Sequence, residues 1–379
     1  MAHVLEINNI EHLAAYRRHW RELLATTPGA NFFQTLEWLE VYWKHYGQGQ
    51  SLRVLMEIDE GELVGIVPLT LKSEQTRAGR IRFLTYPLDF WGSFYGPIGF
   101  NPQKTLTAAF DYLRQRRRDW DVLELRWAGA FGTSAETTEA ALADVGWSAR
   151  PTEPEVTSVI EMKGSWEEYL ASRSAKFRSN WRRWERRLAE RGEVRYERYR
   201  PVGLADGDGD PRWDLYEQCF ELARKSWQGE SKTGTTLSHE SIVPFLRDVH
   251  HAAAETGSLD LNLLYVDDRP AAYAYNYHFQ GSVYGLRVGY DADFSREGVG
   301  SVLCYRSIED SFARGDWLYD LGPGSLQTKR QIRTQLCPLT RLTHFPIGSL
   351  FSIRPNLLRL ARMTDARHCE ELVAAATAS

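Results

Sequence analysis

The chain has 379 residues, of which 43% are hydrophobic and 25% charged, a composition typical of a folded protein of about two domains. Lys and Arg total 46 and Asp and Glu total 50, so the net charge of −4 excludes non-specific nucleic-acid binding driven by a general surplus of positive charge. Segment 1–20 has no signal-peptide pattern, no later segment has about 18 consecutive apolar residues, and the four cysteines form no CxxC pair, so we expect a reduced, cytoplasmic protein without disulfides.

The first half of the chain is predicted to form a strand pair, a helix and a further strand. The strands at 52–58 and 63–71 are joined by a hairpin in which Gly61 supplies the residue with positive φ. A helix at 106–118 and a strand at 122–126 follow.

The second half repeats this order after a seam at 147–157, where Pro151 and Pro154 are expected to interrupt regular structure. The predicted meander, helix and final strand lie at 261–266, 271–279, 282–290, 299–314 and 317–320. The repetition predicts an α/β (α+β) fold made of two units, with domains at 1–150 and 151–345 and a helical tail at 346–379.

The second half begins with a predicted helix at 165–191 that has an apolar stripe and a basic face. Phe177, Trp181, Trp184 and Leu188 fall at helical spacing and form the stripe. The basic residues are Lys176, Arg178, Arg182, Arg183, Arg186, Arg187 and Arg191. This pattern fits either a solvated face or a surface that binds an anion, such as a cofactor phosphate, an RNA or a charged polysaccharide.

A turn with two glycines joins the strand at 282–290 to the helix at 299–314, in the sequence Ser295-Arg-Glu-Gly-Val-Gly300. The first N–H groups of a helix are unpaired and carry positive potential, which suits a phosphate or pyrophosphate. GxGxxG and GxxxxGK(S/T) are absent, which excludes the dinucleotide fingerprint and the Walker site. The alternative is that Gly298 and Gly300 only permit a tight turn and close helix packing.

This turn resembles the acyl-coenzyme A loop of the GNAT N-acyltransferases, whose pattern is Gln/Arg-x-x-Gly-x-Gly/Ala, with Ser295 in place of the first residue. The resemblance implies acyl-coenzyme A as the acyl donor, bound in and beside the turn. The residues that it implicates in donor binding are Val288, Tyr290, Ser295, Arg296, Gly298, Gly300 and Ser301.

Three further segments resemble the CelD-like branch of these enzymes, which is associated with cellulose and other exopolysaccharide synthesis. In chain order they are 31–43, 226–235 and 320–329. Gln228 and Thr328 depart from the pattern of the branch, and the resemblance implicates Trp227 and Lys232 in substrate binding. The resemblance implies two tandem GNAT folds, related to the Fem-type aminoacyltransferases of peptidoglycan synthesis, with a degenerate first fold and the active site in the second.

Acyl transfer to an amine or hydroxyl needs a base for the proton of the nucleophile, and Asp320 ends the last predicted strand, beside the expected thioester. Its carboxylate can orient or deprotonate an amine, or it can simply cap the following turn through Gly322 and Gly324. Lys329 can hold a phosphate or carboxylate of either substrate, or be an ordinary exposed lysine.

A row of tyrosines marks one face of the strand at 271–279, because Tyr273, Tyr275 and Tyr277 alternate with smaller residues. Packing alone explains such a row in many proteins. If a cleft covers the row, Tyr275 is expected to be the general acid for the leaving thiolate. Arg287 lies centrally in the next strand, where it must pair with a carboxylate such as Asp320 or bind a charged acceptor.

No metal site is predicted. His250 and His251 have no partner at metal-ligand spacing and are expected on a helix surface. Segment 206–217 resembles a calcium-binding loop, but Pro211 stands where that loop needs glycine. The apolar, arginine-bearing segment 349–363 is expected to pack on the protein body or, alternatively, to contact a membrane surface.

We therefore predict an N- or O-acyltransferase that moves an acyl group from acyl-coenzyme A, or a related thioester, to an amine or hydroxyl of a small-molecule or saccharide acceptor, in polysaccharide or cell-envelope metabolism. Two alternatives stay open. One is an aminoacyl-tRNA-dependent Fem-type transferase whose basic helix contacts RNA. The other is a catalytically inactive binding or assembly module.

Overall fold

The computed structural model describes residues 2–76, 79–88, 91–92, 94–128, 134–226, 229 and 236–346. The chain divides into two compact units, one made of residues up to Val156 together with the chain from Cys337, and the other of Thr157–Leu336. Up to the boundary the elements are β1 His3–Ile7, α1 Arg17–Thr26, α2 Leu36–Tyr46, β2 Gln50–Asp59, β3 Glu62–Thr76, β4 Gly79–Thr85, α3 Pro102–Gln115, β5 Val122–Ala128, α4 Ala135–Asp144 and β6 Arg150–Glu161.

The later elements are α5 Trp166–Ser172, α6 Ala175–Ala189, β7 Val194–Tyr199, α7 Trp213–Lys225, α8 Val243–Glu255, β8 Leu259–Val266, β9 Arg269–Phe279, β10 Ser282–Tyr290, α9 Val299–Arg314, β11 Leu318–Asp320, α10 Leu326–Lys329 and β12 Gln335–His344. No helix in the described parts of the chain is long and apolar enough to cross a membrane.

The first unit is a sheet in the order β1-β2-β3-β4-β5-β12, in which only the β4–β5 pair is parallel among the pairs that the structure describes. The hairpin between β2 and β3 turns at Glu60 and Gly61, and Gly61 has the positive φ that the sequence predicts. Glu60 also has positive φ, which the sequence did not predict. Helix α3 connects β4 to β5 and packs on β2 and β3. The unit thus has the predicted order of meander, helix and strand.

The second unit repeats this arrangement in the order β6-β11-β10-β9-β8-β7. Strands β8, β9 and β10 form the antiparallel meander, and α9 leads to β11, which pairs parallel to β10. The predicted α/β meander, helix and strand are therefore confirmed in both halves of the chain.

Helices cover both faces of the second sheet. On one face, Ala272 and Ala274 of β9 pack against Val302 and Leu303 of α9 and Leu188 of α6. The tyrosine row of β9 lies on the opposite face, which α7 and α8 cover. The periodicity of two along β9 thus separates a small-residue face for close helix packing from an aromatic face.

Two sequence expectations about the start of the second half were wrong. Strand β6 runs through Pro151 and Pro154, because extended backbone accommodates the fixed φ of proline and loses only ladder donors. The predicted helix at 165–191 is two helices, α5 and α6. Ser174 has extended backbone and accepts a hydrogen bond from Phe177 N at 3.1 Å, so it starts α6 as a new N-cap.

A buried ionic network joins the small-residue face to α9. The guanidinium of Arg198 forms two hydrogen bonds with Asp260, at 2.8 and 3.0 Å, and bonds the Ser311 hydroxyl at 2.8 Å. Burial alone would raise the pKa of Asp260, but Arg198 and Arg200 hold it well below its usual value. Arg200 also pairs with Asp260 at 3.2 Å and Asp310 of α9 also pairs with Arg198 at 3.1 Å, so several buried charge pairs stabilise the position of α9 on the sheet.

Candidate active site

Strands β10 and β11 separate soon after they meet. Their parallel pairing covers Ser282–Tyr284 and Leu318–Asp320, whereas β10 continues to Tyr290 and has an irregular register between Gly285 and Arg287. A Cβ on Gly285 would lie 2.7 Å from the Asp320 carbonyl oxygen, and one on Gly322 would lie 2.6 Å from the Gly285 carbonyl oxygen. Both positions therefore need glycine, and their contact brings the end of β11 against the irregularity in β10.

Asp320 is buried at this separation, with 1% of its surface exposed. Its Oδ1 accepts hydrogen bonds from the Thr157 hydroxyl and from Gly322 N, the latter at 3.0 Å, so the residue does cap the turn. Its Oδ2 accepts no hydrogen bond from the described residues. Burial raises the pKa of Asp320 to about 6, despite these two bonds and the nearby Lys329. The carboxyl group can therefore exchange a proton near neutral pH.

Lys329 stabilises the loop after Asp320. Its Nζ donates to the carbonyl oxygens of Gly322 and Pro323, at 2.6 and 2.8 Å. The ammonium thus closes the turn between β11 and α10 and lowers the pKa of the Asp320 carboxyl from that position. Its binding to a substrate anion stays a prediction.

The tyrosine row lies on the same face of the sheet as Asp320. Tyr277 pairs in register with Tyr284, and Tyr284 pairs with Asp320, so these side chains share a face. Tyr275 pairs with Arg287, at the irregularity in β10, and is fully buried. Its hydroxyl lies 3.1 Å from His250 Nδ1. Burial raises the pKa of Tyr275 well above its usual value, so the phenol keeps its proton.

Arg287, expected to pair with Asp320 or bind a charged acceptor, is half-buried on this face. Its Nη1 donates to the carbonyl oxygen of Leu286 at 2.6 Å. The side-chain hydrogen bond to Asp320 comes instead from Thr157, and a role for Arg287 in substrate binding stays a prediction.

The glycine turn forms the other end of the candidate site. Gly298 has φ of +70° and starts α9, which receives no side-chain cap from the described residues. The first N–H groups of α9, those of Val299 and Gly300, are therefore available to an anion. Ser295 and Arg296 are exposed beside them, as is Val288, 45% of whose surface is accessible.

The glycines of this turn also serve packing. A Cβ on Gly298 would lie 2.8 Å from the Trp184 ring of α6, and one on Gly300 would lie 3.0 Å from the Tyr290 ring. Ser301 N donates back to Gly298 O at 2.9 Å and closes the first turn of the helix. Tight packing and an open helix terminus therefore coexist here.

The basic face of α6 is solvent-exposed. It carries Arg182, Arg183, Arg186 and Arg187. Arg186 makes a long ion pair with Glu190, at 3.8 Å, whereas Arg182 and Arg187 make none with the carboxylates that the structure describes. The helix packs against α9 and the turn at Ala292–Glu297, so its positive charge lies next to the glycine turn.

Several predicted residues lie outside the described part of the chain. They are Trp227 and Lys232, expected to bind substrate, and the tail segment 349–363, expected to pack or to contact a membrane. Among the described residues, no group of three or more His, Cys, Asp or Glu side chains is arranged to hold a metal ion.

Sequence reasoning missed three groups at the site. His250 was expected on a helix surface but is fully buried against Tyr275. Thr157 comes from β6, far from Asp320 in sequence, and no sequence signal connects them. The close approach of Gly285 and Gly322 was also missed, although an isolated glycine within a strand is itself a signal of such an approach.

Residues 175–330 match the acetyltransferase (GNAT) domain family. No curated protein matches the sequence. The fold resembles that of FemX, with a TM-score of 0.60 and 13% identity over 92% of this chain and 99% of that one.

Two further solved structures resemble this fold. One is the C-terminal domain of a protein from Agrobacterium fabrum assigned as a lysylphosphatidylglycerol synthetase, with a TM-score of 0.55 and 10% identity over 92% of this chain and 97% of that one. The other is a protein of unknown function from Bacteroides thetaiotaomicron, with a TM-score of 0.53 and 12% identity over 91% of this chain and 99% of that one. At these identities the similarity shows the fold alone, and the predicted GNAT-like fold is confirmed.

The burial of Asp320 predicts an unusual dependence of stability on pH. Its pKa is raised in the folded state, so its contribution to stability is complete below about pH 4 and is lost as the pH rises through about 6. Asp320→Asn keeps the acceptor for Thr157 and Gly322 without the charge. We expect it to raise the free energy of unfolding by about 3 kcal/mol at pH 7.5 and by almost nothing at pH 4.

Asp316→Asn is the matched control, because Arg200 and His278 outweigh burial and hold the pKa of Asp316 at about 2. It should destabilise the protein at pH 7.5, and its effect should shrink as the pH falls. Thermal unfolding across this pH range measures both variants. A destabilised Asp320→Asn at pH 7.5 would show that the carboxylate stabilises the fold.

Proposed function

We propose that the second unit is an N- or O-acyltransferase that moves an acyl group from acyl-coenzyme A to an amine or hydroxyl. One observation carries the proposal: the strand separation holds a buried carboxyl group that titrates near neutrality, and the uncapped start of α9 lies at the end of the longer strand. The match of residues 175–330 to the acetyltransferase domain family agrees with this chemistry.

In this mechanism Asp320 is the general base. Its Oδ2 accepts the proton that the nucleophile loses as it attacks the thioester carbon, and Oδ1 stays bonded to Thr157 and Gly322, which hold the carboxyl plane. The new C–N or C–O bond forms as the C–S bond breaks, and the departing thiolate takes up a proton. A base with a pKa of about 6 is deprotonated at neutral pH yet basic enough to accept this proton.

The phosphates of the donor are proposed to bind at the start of α9. The N–H groups of Val299 and Gly300 supply donors, and exposed Ser295 and Arg296 add a hydroxyl and a charge. Val288 and Tyr290 of β10, with Ser301 of α9, complete the proposed donor site. The sequence resemblance further suggests a small-molecule or saccharide acceptor.

The corresponding positions of the first unit support its assignment as degenerate. Glu124 occupies the third pair of the parallel β4–β5 ladder, as Asp320 does in β10–β11, but Arg126 Nε lies 2.5 Å from its Oε1. Helix α3 is capped by Asn101, whose side chain accepts from Lys104 N, and Pro102 removes a further N–H. The first unit therefore has a neutralised carboxylate and a closed helix start.

A second candidate donor is aminoacyl-tRNA, as in the Fem-type transferases. The observation that favours it is the exposed basic face of α6, which carries four arginines beside the glycine turn. Polyanions bind such faces through release of counterions, so their affinity falls steeply with salt.

Asp320→Asn tests the role of the base. We expect the turnover number to fall by about 10²-fold or more while donor affinity changes little, because the shape and the turn cap remain. For the unmodified protein, kcat should rise as the pH passes through about 6 and the carboxyl group loses its proton. Steady-state kinetics at several pH values measure both effects, and a variant with unaltered rate and pH profile would make Asp320 structural.

Gly300→Glu tests the phosphate site. A carboxylate in the first turn favours the helix itself, so the fold should persist, but repulsion should weaken coenzyme A binding by at least about tenfold. Gly300→Ala is the control, since it introduces the same Cβ beside Tyr290 without the charge. Calorimetric titration with coenzyme A measures both affinities. Equal affinities for the two variants would remove the phosphate site from α9.

Replacing Arg182, Arg183, Arg186 and Arg187 by Gln distinguishes the two donors. A tRNA donor predicts weaker tRNA binding and a log–log salt slope that is shallower by about 0.7 to 0.9 for each phosphate that these arginines no longer neutralise. Turnover and salt dependence that both stay at wild-type values would show that the face is only solvated. Arg116, Arg117 and Arg118, exposed in the first unit, provide the control triple replacement by Gln, which should leave either activity unchanged.

A further inference from the structure

Strand β7 lies at one end of the sheet of the second unit. It runs from Val194 to Tyr199 and pairs antiparallel with β8, which is its one neighbour among the strands that the structure describes. The register with β8 is continuous, and the strand contains neither a proline nor a bulge. Natural sheets commonly use such interruptions to prevent an edge from pairing with a further strand, so the regular edge of β7 is able to accept one.

The hydrogen bond at the end of the β7–β8 ladder shows which backbone groups of β7 bond β8. Asp267 N donates to Glu193 O at 2.8 Å, and this pair continues the register of the two strands. Bonded and non-bonded pairs alternate along an antiparallel ladder. The N–H and C=O groups of Arg195, Glu197 and Tyr199 therefore face β8.

The ladder on the other side of β8 gives the same result. His278 N donates to Ser258 O at 2.7 Å, so the even-numbered residues of β8 bond β9 and its odd-numbered residues bond β7. The β7 partners of those odd-numbered residues are themselves odd-numbered. Both ladders thus leave the N–H and C=O groups of Val194, Tyr196 and Arg198 pointing outward from the sheet.

Solvent reaches these outward backbone groups. The side chain of Arg198 is only 1% exposed, because it is bonded to Asp260 and to α9. The residue as a whole is nevertheless half-buried rather than buried, so the accessible surface of Arg198 belongs to its main chain. The Tyr196 hydroxyl donates to Asn262 Oδ1 at 2.6 Å within the sheet. A partner strand would therefore meet the backbone edge of β7 without displacing these side chains.

The charges of β7 select one register for a second copy of the same strand. Arg195 and Glu197 bond each other at 2.8 Å on one face, with side chains 49% and 29% exposed. Arg195 also lies over the Tyr265 ring, and Arg212 lies 3.6 Å from Glu197, so both side chains are held on this face. An antiparallel pair that uses at least two outward residues of each copy is centred on Arg195, Tyr196 or Glu197. The first and last centres place like charges opposite each other, whereas Tyr196 places Arg195 of each copy opposite Glu197 of the other.

We propose that β7 pairs antiparallel with β7 of a second copy of this chain, centred on Tyr196, so that two second units share one continuous sheet across a two-fold axis. Val194 of each copy then bonds Arg198 of the other, and the two Tyr196 residues bond each other. The ladder is short compared with a permanent interface, so we expect a reversible dimer with a Kd on the order of 10 μM. The proposal does not depend on the acyltransferase function.

Amide hydrogen exchange, resolved by residue, tests the edge itself. It is measured on the full chain at concentrations about tenfold above and about tenfold below the Kd found by sedimentation. The outward amides of Tyr196 and Arg198 should exchange slowly only in the concentrated sample, whereas those of Arg195, Glu197 and Tyr199 should be slow in both. Fast exchange of the outward amides in both samples would overturn the proposal. Slow exchange in both would show that another segment of the same chain covers the edge, and would also overturn it.

Charge reversal tests the register. Arg195→Glu and Glu197→Arg should each weaken dimerisation by at least about tenfold, because like charges then lie opposite each other. An equimolar mixture of the two variants should form heterodimers, since the strands become complementary again. The variant with both substitutions should dimerise with itself for the same reason. Lys163→Glu, at an exposed position outside β7, is the control and should dimerise like the wild type.

Sedimentation equilibrium measures each association, and thermal unfolding shows that each variant is folded. Val194→Pro provides a second test if a charge variant does not fold, because it removes an outward N–H but no hydrogen bond to β8, and it should weaken the dimer. A wild type that stays monomeric far above 10 μM would overturn the proposal. Dimers that both charge reversals leave intact, or a mixture that forms no heterodimer, would overturn it as well.

Discussion

The early separation of β10 and β11 is the constraint on which the candidate site depends. The strands pair over three residues, and the contact between Gly285 and Gly322 then places the end of β11 against an irregularity in its neighbour. Asp320 is buried at this point with a hydroxyl, a backbone N–H and a nearby ammonium as its surroundings, so desolvation outweighs charge pairing. A structure that keeps such a carboxyl group sacrifices stability at neutral pH, which is typical of functional sites.

The two units show how one order of elements can carry different chemistry. Both place an acidic residue at the third pair of a parallel ladder, and both follow the meander with a helix. In the first unit an arginine pairs with the acid and an asparagine caps the helix. In the second unit, among the described residues, the acid has no arginine partner and the helix has no side-chain cap. The difference lies in two or three side chains, and the ionic network around Arg198 holds α9 in place without using Asp320.

Hydrophobic periodicity and turn residues predicted the elements whose structure depends on neighbouring residues in the sequence. The hairpin at Gly61, the meander of the second half and helix α9 with its glycine turn follow from periodicity and turn residues. The burial of His250 and the bond from Thr157 to Asp320 were not predictable, since they join residues 25 and 163 positions from their partners. Ser174 shows an intermediate case: serine is a common N-cap residue, but the sequence was interpreted as one helix over 165–191.

Hydrogen exchange of the wild-type protein with and without coenzyme A tests the central claim most directly, namely that the donor binds where β10 leads into α9. The account predicts slower exchange in residues 286–302, where the N–H groups of Val299 and Gly300 would become bonded to phosphate. The corresponding segment of the first unit, residues 98–106, should be unaffected, because Asn101 already caps its helix. Unchanged exchange at 286–302, or protection confined to the first unit, would contradict the account.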